Sequence, residues 1–230
     1  MDIKTTAVKR TMAAAIVLSA GLGLAACGTG ADTSAAGPSS SASTTIDNPE
    51  PVATVPAVSG GDTSVALDQG FVDALTSLGL TPGTVGSATL ADGAIDFPIT
   101  GGTVTLYDKE SGYRPFVQGV LLHQGSGLSL TAGETVVELT DFTVDPGKPA
   151  RLFGDVTVNG ELAVPSAPLF NLNGTTLEPV TMDAAGNAVL AGTKVELSAE
   201  AADLLNTTFG TTAVTPDLLI GVATLTVATS

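Results

Sequence analysis

The feature that most constrains the fold is a rhythm of short apolar alternations, broken about every eight to twelve residues by turn formers, from about residue 62 onward. Two-residue alternation sends one face of a strand to the core and the other to water, and frequent turns keep strands short. Val104 and Leu106 alternate before the polar turn Asp108-Lys109-Glu110-Ser111-Gly112, and Phe116 to Leu122 forms a second apolar run. Leu128 and Leu130 alternate before Ala132-Gly133-Glu134. Val137 and Leu139 share one parity, whereas Phe142 and Val144 show the other. A one-residue slip near Thr140-Asp141 is what a β-bulge produces. Leu152, Val156 and Val158 lead into Asn159-Gly160, and Leu162 and Val164 come next. Asn-Gly between alternating runs predicts a tight hairpin. Residues 169–172, 180–182 and 188–190 supply further apolar runs, with a turn at residues 183–187. The expectation is a mainly β fold: an antiparallel β-sandwich or barrel-like domain over residues 62–230. A domain of that size buries roughly 70% of its unfolded surface and needs no metal or disulfide to fold.

Two helices interrupt this pattern. Phe71, Val72, Leu75 and Leu78 keep helical spacing after Asp68 and end at Gly79. Ala201, Ala202, Leu204, Leu205 and Phe209 do so after Ser198 and end at Gly210. Asp and Ser are N-cap residues, Gly ends helices in the left-handed conformation, and Glu200 favours a helix start. Each helix comes after a short strand, Val65-Ala66-Leu67 or Val195-Glu196-Leu197. Gly86-Ser87-Ala88-Thr89-Leu90 further resembles Gly221-Val222-Ala223-Thr224-Leu225, and Pro82 and Pro216 precede the two copies. This reads as a duplicated strand–helix–turn–strand unit. Its last strand, residues 219–228, is placed to pair beside the first strand and close the sheet.

The N-terminal segment carries Lys4, Lys9 and Arg10, then an apolar run from Met12 to Ala26. A basic start, a short apolar core and small residues before a cut site describe a secretory signal helix over residues 1–26, too short for a permanent span. The run ends Leu24-Ala25-Ala26-Cys27-Gly28. This resembles the lipobox of bacterial lipoproteins, which implies cleavage between Ala26 and Cys27 and a diacylglyceryl group on the Cys27 thiol. Cys27 is the single Cys of the chain. Its acyl chains would hold the protein on the extracytoplasmic face of the cell membrane. Residues 28–61 are rich in Gly, Ser, Thr, Ala and Pro, without a hydrophobic period. With Cys27 they are expected to form a disordered linker, residues 27–61.

Charge and composition then exclude several functions. Eight Lys+Arg against 23 Asp+Glu give a net charge of −15, which excludes a non-specific nucleic-acid binder. Removing residues 1–26 deepens the charge to −17. One Cys excludes a disulfide framework and a Cys-based zinc site, and one His excludes sites needing two His ligands. No Gly-x-Ser-x-Gly elbow, calcium loop, phosphate-binding glycine loop or paired carboxylate cluster is present. Neither a catalytic nor a metal site is expected, and the chain reads as a non-enzyme. His123 is the residue of interest by type, at a strand end in Gly119-Val120-Leu121-Leu122-His123. Tyr107 and Tyr113 flank the preceding turn, so the three residues are candidate ligand contacts. Tyr or His can ligate haem iron, and an apolar cleft would hold the ring.

Ile99-Thr100-Gly101-Gly102-Thr103 with Tyr107-Asp108, then Gly119 and His123-Gln124-Gly125, Leu128-Ser129-Leu130 and Asn159-Gly160 are similar to the HtaA-type domain. That is a family of β-rich surface domains from high-GC Gram-positive bacteria. The resemblance covers about residues 63–230 and implies a β-rich fold and haem as a conceivable cofactor. The family's haem-ligating Tyr lies on its first helix, whereas the matching helix here, Phe71 to Leu78, carries no Tyr. The main expectation is a lipid-anchored lipoprotein with a binding or structural role in the cell envelope, without a cofactor and with an envelope protein as conceivable partner. The alternative is a carrier of haem or another hydrophobic small molecule.

Overall fold

The computed structural model describes residues 48–229. The signal segment, the cleavage site at Ala26 and Cys27, and the tether up to residue 47 lie outside the described residues. In chain order the elements are β1 (Ala53–Val55), β2 (Gly61–Leu67), α1 (Gln69–Ser77), β3 (Thr81–Gly86), β4 (Thr89–Ala91), β5 (Ala94–Pro98), β6 (Gly101–Leu106), β7 (Val117–Ala132), β8 (Thr135–Asp145), β9 (Arg151–Val158), β10 (Glu161–Asn173), β11 (Thr181–Met182), β12 (Ala188–Leu197), α2 (Ala199–Phe209) and β13 (Leu219–Val227). The strands form one antiparallel sheet in the order β1-β6-β7-β8-β9-β10-β12-β13-β2-β5-β4, with β3 added to β7 and β11 to β12. The sheet curls into a half-barrel, the barrel-like variant of the expected mainly β class.

Local chemistry explains the curl. Asn159 and Gly160 both hold positive φ, 52° and 83°, and connect β9 to β10 as the Asn-Gly pair predicts. The expected slip on β8 is a bulge between Thr140 and Thr143, centred on Asp141 at φ 53°. A second irregularity lies on β7 between His123 and Gly127. The Asp141 carboxylate accepts a hydrogen bond from the Gly125 amide at 2.8 Å, so one bulge supports the other. Bulges bend and twist strands, and these two bend β7 and β8 at the same level.

The helices begin where their caps place them. The Asp68 carboxylate accepts from the Gly70 amide, and the Ser198 hydroxyl accepts from the Ala201 amide. Gly79 and Gly210 end them in the left-handed conformation, at φ 66° and 64°. The seam expected from the last strand is present: β13 pairs with β2 from Gly221 opposite Leu67 to Val227 opposite Gly61.

Two expectations need correction. The strand–helix halves of the duplicated unit exist, but the strands beyond the two helices are not equivalent. The strand after α1, β3, pairs with β7, whereas the strand after α2, β13, pairs with β12 and β2. Residues 86–90 span a turn between β3 and β4, while residues 221–225 lie inside β13, so that similarity is not structural equivalence. The linker expectation over 27–61 also extends too far. Ala53–Val55 pairs with Leu106–Val104, and Val58 is buried with its amide bonded to the Gly102 carbonyl. The reason is the β6 edge, whose backbone groups β1 satisfies. Three paired residues flanked by prolines are too short to show a period.

Candidate functional site

The inward-facing positions of the curled sheet do not fill it. They surround a cavity of about 640 Å³, within the ~300–1,000 Å³ range of pockets that hold one small molecule. The parities seen in the sequence build its wall. Val65 and Leu67 come from β2, Leu190 and Val195 from β12, Leu225 and Val227 from β13. At the far end of the sheet path, Val104 and Leu106 of β6 and Leu121 of β7 close the other side.

The floor is aromatic with one polar pair. Phe97 on β5 and Phe142 on β8 meet edge to face at 5.3 Å, and Phe142 meets Phe170 on β10 at 6.4 Å. His123 lies among them, 1% exposed, and its Nε2 is 2.8 Å from the Thr63 hydroxyl oxygen. β7 and β2 are six places apart along the sheet, so this contact ties two walls together across the curl. The His123 carbonyl accepts from the buried Ser126 hydroxyl at 3.0 Å. Its Nδ1 is buried without a well-formed hydrogen bond. Burial pushes the His123 pKa down to about 4, and the Phe142 backbone pulls it back by less. The ring is therefore neutral at pH 7.

The mouth lies at the opposite end of the strands. The loop before β7 contributes Arg114 and Phe116, and the loop between β8 and β9 contributes Lys148. Val180 and Met182 line the rim while 38% and 60% exposed. β1 lines the mouth as well, so the described chain enters the domain there.

The structure separates the three residues singled out by sequence. His123 lines the cavity floor. Tyr107 and Tyr113 stack edge to face on each other at 4.7 Å and belong to the hairpin at the mouth end, and neither lines the cavity. The Tyr107 amide bonds to the Phe116 carbonyl, seven residues from His123 along β7, which puts the pair about 20 Å from the imidazole. Proximity to the turn in sequence misled, because β7 carries His123 away from that turn as an extended strand. Sequence reasoning missed Thr63, Arg114 and Lys148. Thr63 did carry a signal: it is a polar residue on the inward parity of Val65 and Leu67, matching the polar His123 on the inward parity of Leu121.

The fold has a solved counterpart. The C-terminal domain of HtaA from Corynebacterium glutamicum superposes with a TM-score of 0.50 at 14% identity, covering 75% of this chain and 99% of that one. The fold is that of an HtaA-type domain. The haem-binding protein HtaB from the same organism is also similar, with a TM-score of 0.46 at 12% identity, covering 76% of this chain and 96% of that one. No family model and no curated protein matches the chain in sequence.

The likeness to HtaA is one of fold alone, and the haem implied by the sequence resemblance depends on the residues present. The apolar wall suits the faces of a porphyrin. Iron ligands are another matter. α1 reads Gln-Gly-Phe-Val-Asp-Ala-Leu-Thr-Ser, without a Tyr, His, Met or Cys. Tyr107 and Tyr113 stand outside the cavity, and the His123 Nε2 is held by Thr63. The site fits an apolar guest; its lining side chains able to ligate iron are His123, whose Nε2 is already bonded to Thr63, and Met182 at the exposed rim.

Proposed function

We propose that this protein is a lipid-anchored carrier that holds one hydrophobic small molecule inside its half-barrel. The observation that carries the reading is the cavity: a large space walled by inward apolar side chains from nearly every strand. A purely structural envelope module has no use for it. Native cores pack to the density of organic crystals, whereas the inward faces here leave an open apolar cleft of about 640 Å³ that a guest could fill. Of the two functions the sequence left open, the cavity favours the carrier. Haem belongs to the class of guest such a wall accepts, and it is the guest that the resemblance to HtaA-type domains implies. The absence of a Tyr from α1 and the engagement of the His123 Nε2 by Thr63 make haem the less favoured member of that class.

The address of the protein remains that read from the sequence: export, cleavage before Cys27, and lipidation of that thiol on the extracytoplasmic face. Cys27→Ala is expected to release the protein to the medium or block its processing, and a processed, membrane-held variant would contradict the anchor. For the carrier itself, the test is native mass spectrometry of the purified protein, with a haemin titration alongside. A co-purifying hydrophobic molecule, lost on organic extraction and restored by adding lipid extract, is the expected result. A guest-free protein that rebinds nothing from lipid extract and gives no Soret shift with micromolar haemin would overturn it.

A further inference from the structure

Acidic residues outnumber basic ones four to one between residues 48 and 229, at twenty to five. The cavity lining departs from that ratio. It contains two side chains charged at pH 7, Arg114 and Lys148, and both are cations. They lie on the two loops at the mouth, one before β7 and one after β8. Leu121 pairs with Val144 on these strands, so the same ladder continued outward brings both loops to one end of the barrel. Both cations are exposed. Among the described residues the ion pair formed joins Arg151 to Glu200, leaving Arg114 and Lys148 without an acidic partner. A third cation, Lys109, stands 5.8 Å from the Phe116 ring centroid, and Arg114 stands 5.7 Å from that centroid. Phe116 itself lines the cavity. Three of the five cations of the described residues thus gather around one mouth of an otherwise acidic protein.

The opposite end of the cavity carries no charge at pH 7. The floor is Phe97, Phe142 and Phe170 with a neutral imidazole already bonded to Thr63. A guest is therefore read in one orientation, with its apolar end on the aromatic floor and any negative end at the mouth. Charge on such a guest is expensive inside and favoured outside.

We propose that the guest is a single-chain anionic amphiphile, a fatty-acid-type molecule whose chain fills the half-barrel and whose acidic head rests on Arg114 and Lys148. This rests on the carrier reading and specifies its ligand class. A cavity of about 640 Å³ holds one such molecule. A planar Arg guanidinium and a Lys ammonium are both suited to a carboxylate, the first with two parallel hydrogen bonds.

The test uses the mature lipid-stripped protein and two probes of equal chain length, palmitate and 1-hexadecanol, with affinities measured by displacement of a fluorescent apolar dye. Palmitate is expected to bind at least tenfold more tightly than hexadecanol at pH 8 and low salt. The double variant Arg114→Gln/Lys148→Gln is expected to remove most of that preference, lowering palmitate affinity at least fivefold more than hexadecanol affinity. Both positions are exposed, so folding should survive, and circular dichroism checks it. Equal binding of both probes, or a preference that persists in the double variant, overturns the anionic-head proposal and leaves the carrier reading standing. Failure of both probes to displace the dye overturns the two together.

Discussion

His123 is neutral in the folded protein because its surroundings cannot solvate an imidazolium. Its folded pKa lies near 4, against 6.5 for the free side chain. As pH falls below about 6.5 the unfolded chain takes up a proton that the folded chain refuses. Stability from this residue is thus complete above pH 6.5 and is lost progressively towards pH 4, by up to about 3 kcal/mol. Urea unfolding at pH 7 and pH 4.5 checks this. The wild type should lose more stability between the two than His123→Gln does, and parallel losses would show that the imidazole is not the source. A sequence holds only part of this site. Thr63 and His123 each sit on a core parity where an apolar residue is the rule, so two polar residues needing partners were legible. That they serve one another was not, because sixty residues separate them and only the curl of the sheet joins them. Tyr107 and Tyr113 show the opposite failure: they do meet, but as a pair at the mouth end.

At the scale of elements, local signals carried furthest where a turn has a steric requirement. Asn159-Gly160, the bulge at Asp141 and the capping residues Asp68 and Ser198 each declare a backbone conformation through their own side chains. The pairing of β1 with β6 and of β3 with β7 was illegible, since three and six residues leave no usable period and pairing is decided by which edge stands open. The β13–β2 seam is the element that turns a curved sheet into a cavity. Gly221 lies in it opposite Leu67, and a Cβ there would overlap the Ala66 carbonyl oxygen. Gly160 lies in an open turn with nothing within 4 Å, though its φ of 83° disfavours other residues. Gly160→Ala is expected to cost about 1 kcal/mol. Gly221→Ala should cost about 2–3 kcal/mol, because backbone must move to relieve the overlap. Chemical denaturation compares them; a Gly221 variant as stable as the Gly160 variant would mean that the seam yields easily.

For the whole molecule, a strongly acidic surface encloses an apolar interior whose charged residues are all at one end and of the minority sign. Fold class was legible in the periodicity, but the cavity was not. An inward apolar side chain looks the same in sequence whether it meets another side chain or an open space, and the difference is set by how tightly the sheet curls. The described chain enters the domain at β1, which lines the cavity mouth. The central claim is that the interior of the half-barrel is a binding site. Leu190 lines it and is only half-buried, so Leu190→Trp obstructs the space without disturbing the floor. The decisive measurement is palmitate binding to wild type and Leu190→Trp by isothermal titration calorimetry, at matched thermal stability. The account predicts one site per wild-type chain and at least a tenfold loss in the variant; equal affinity in both proteins would contradict it.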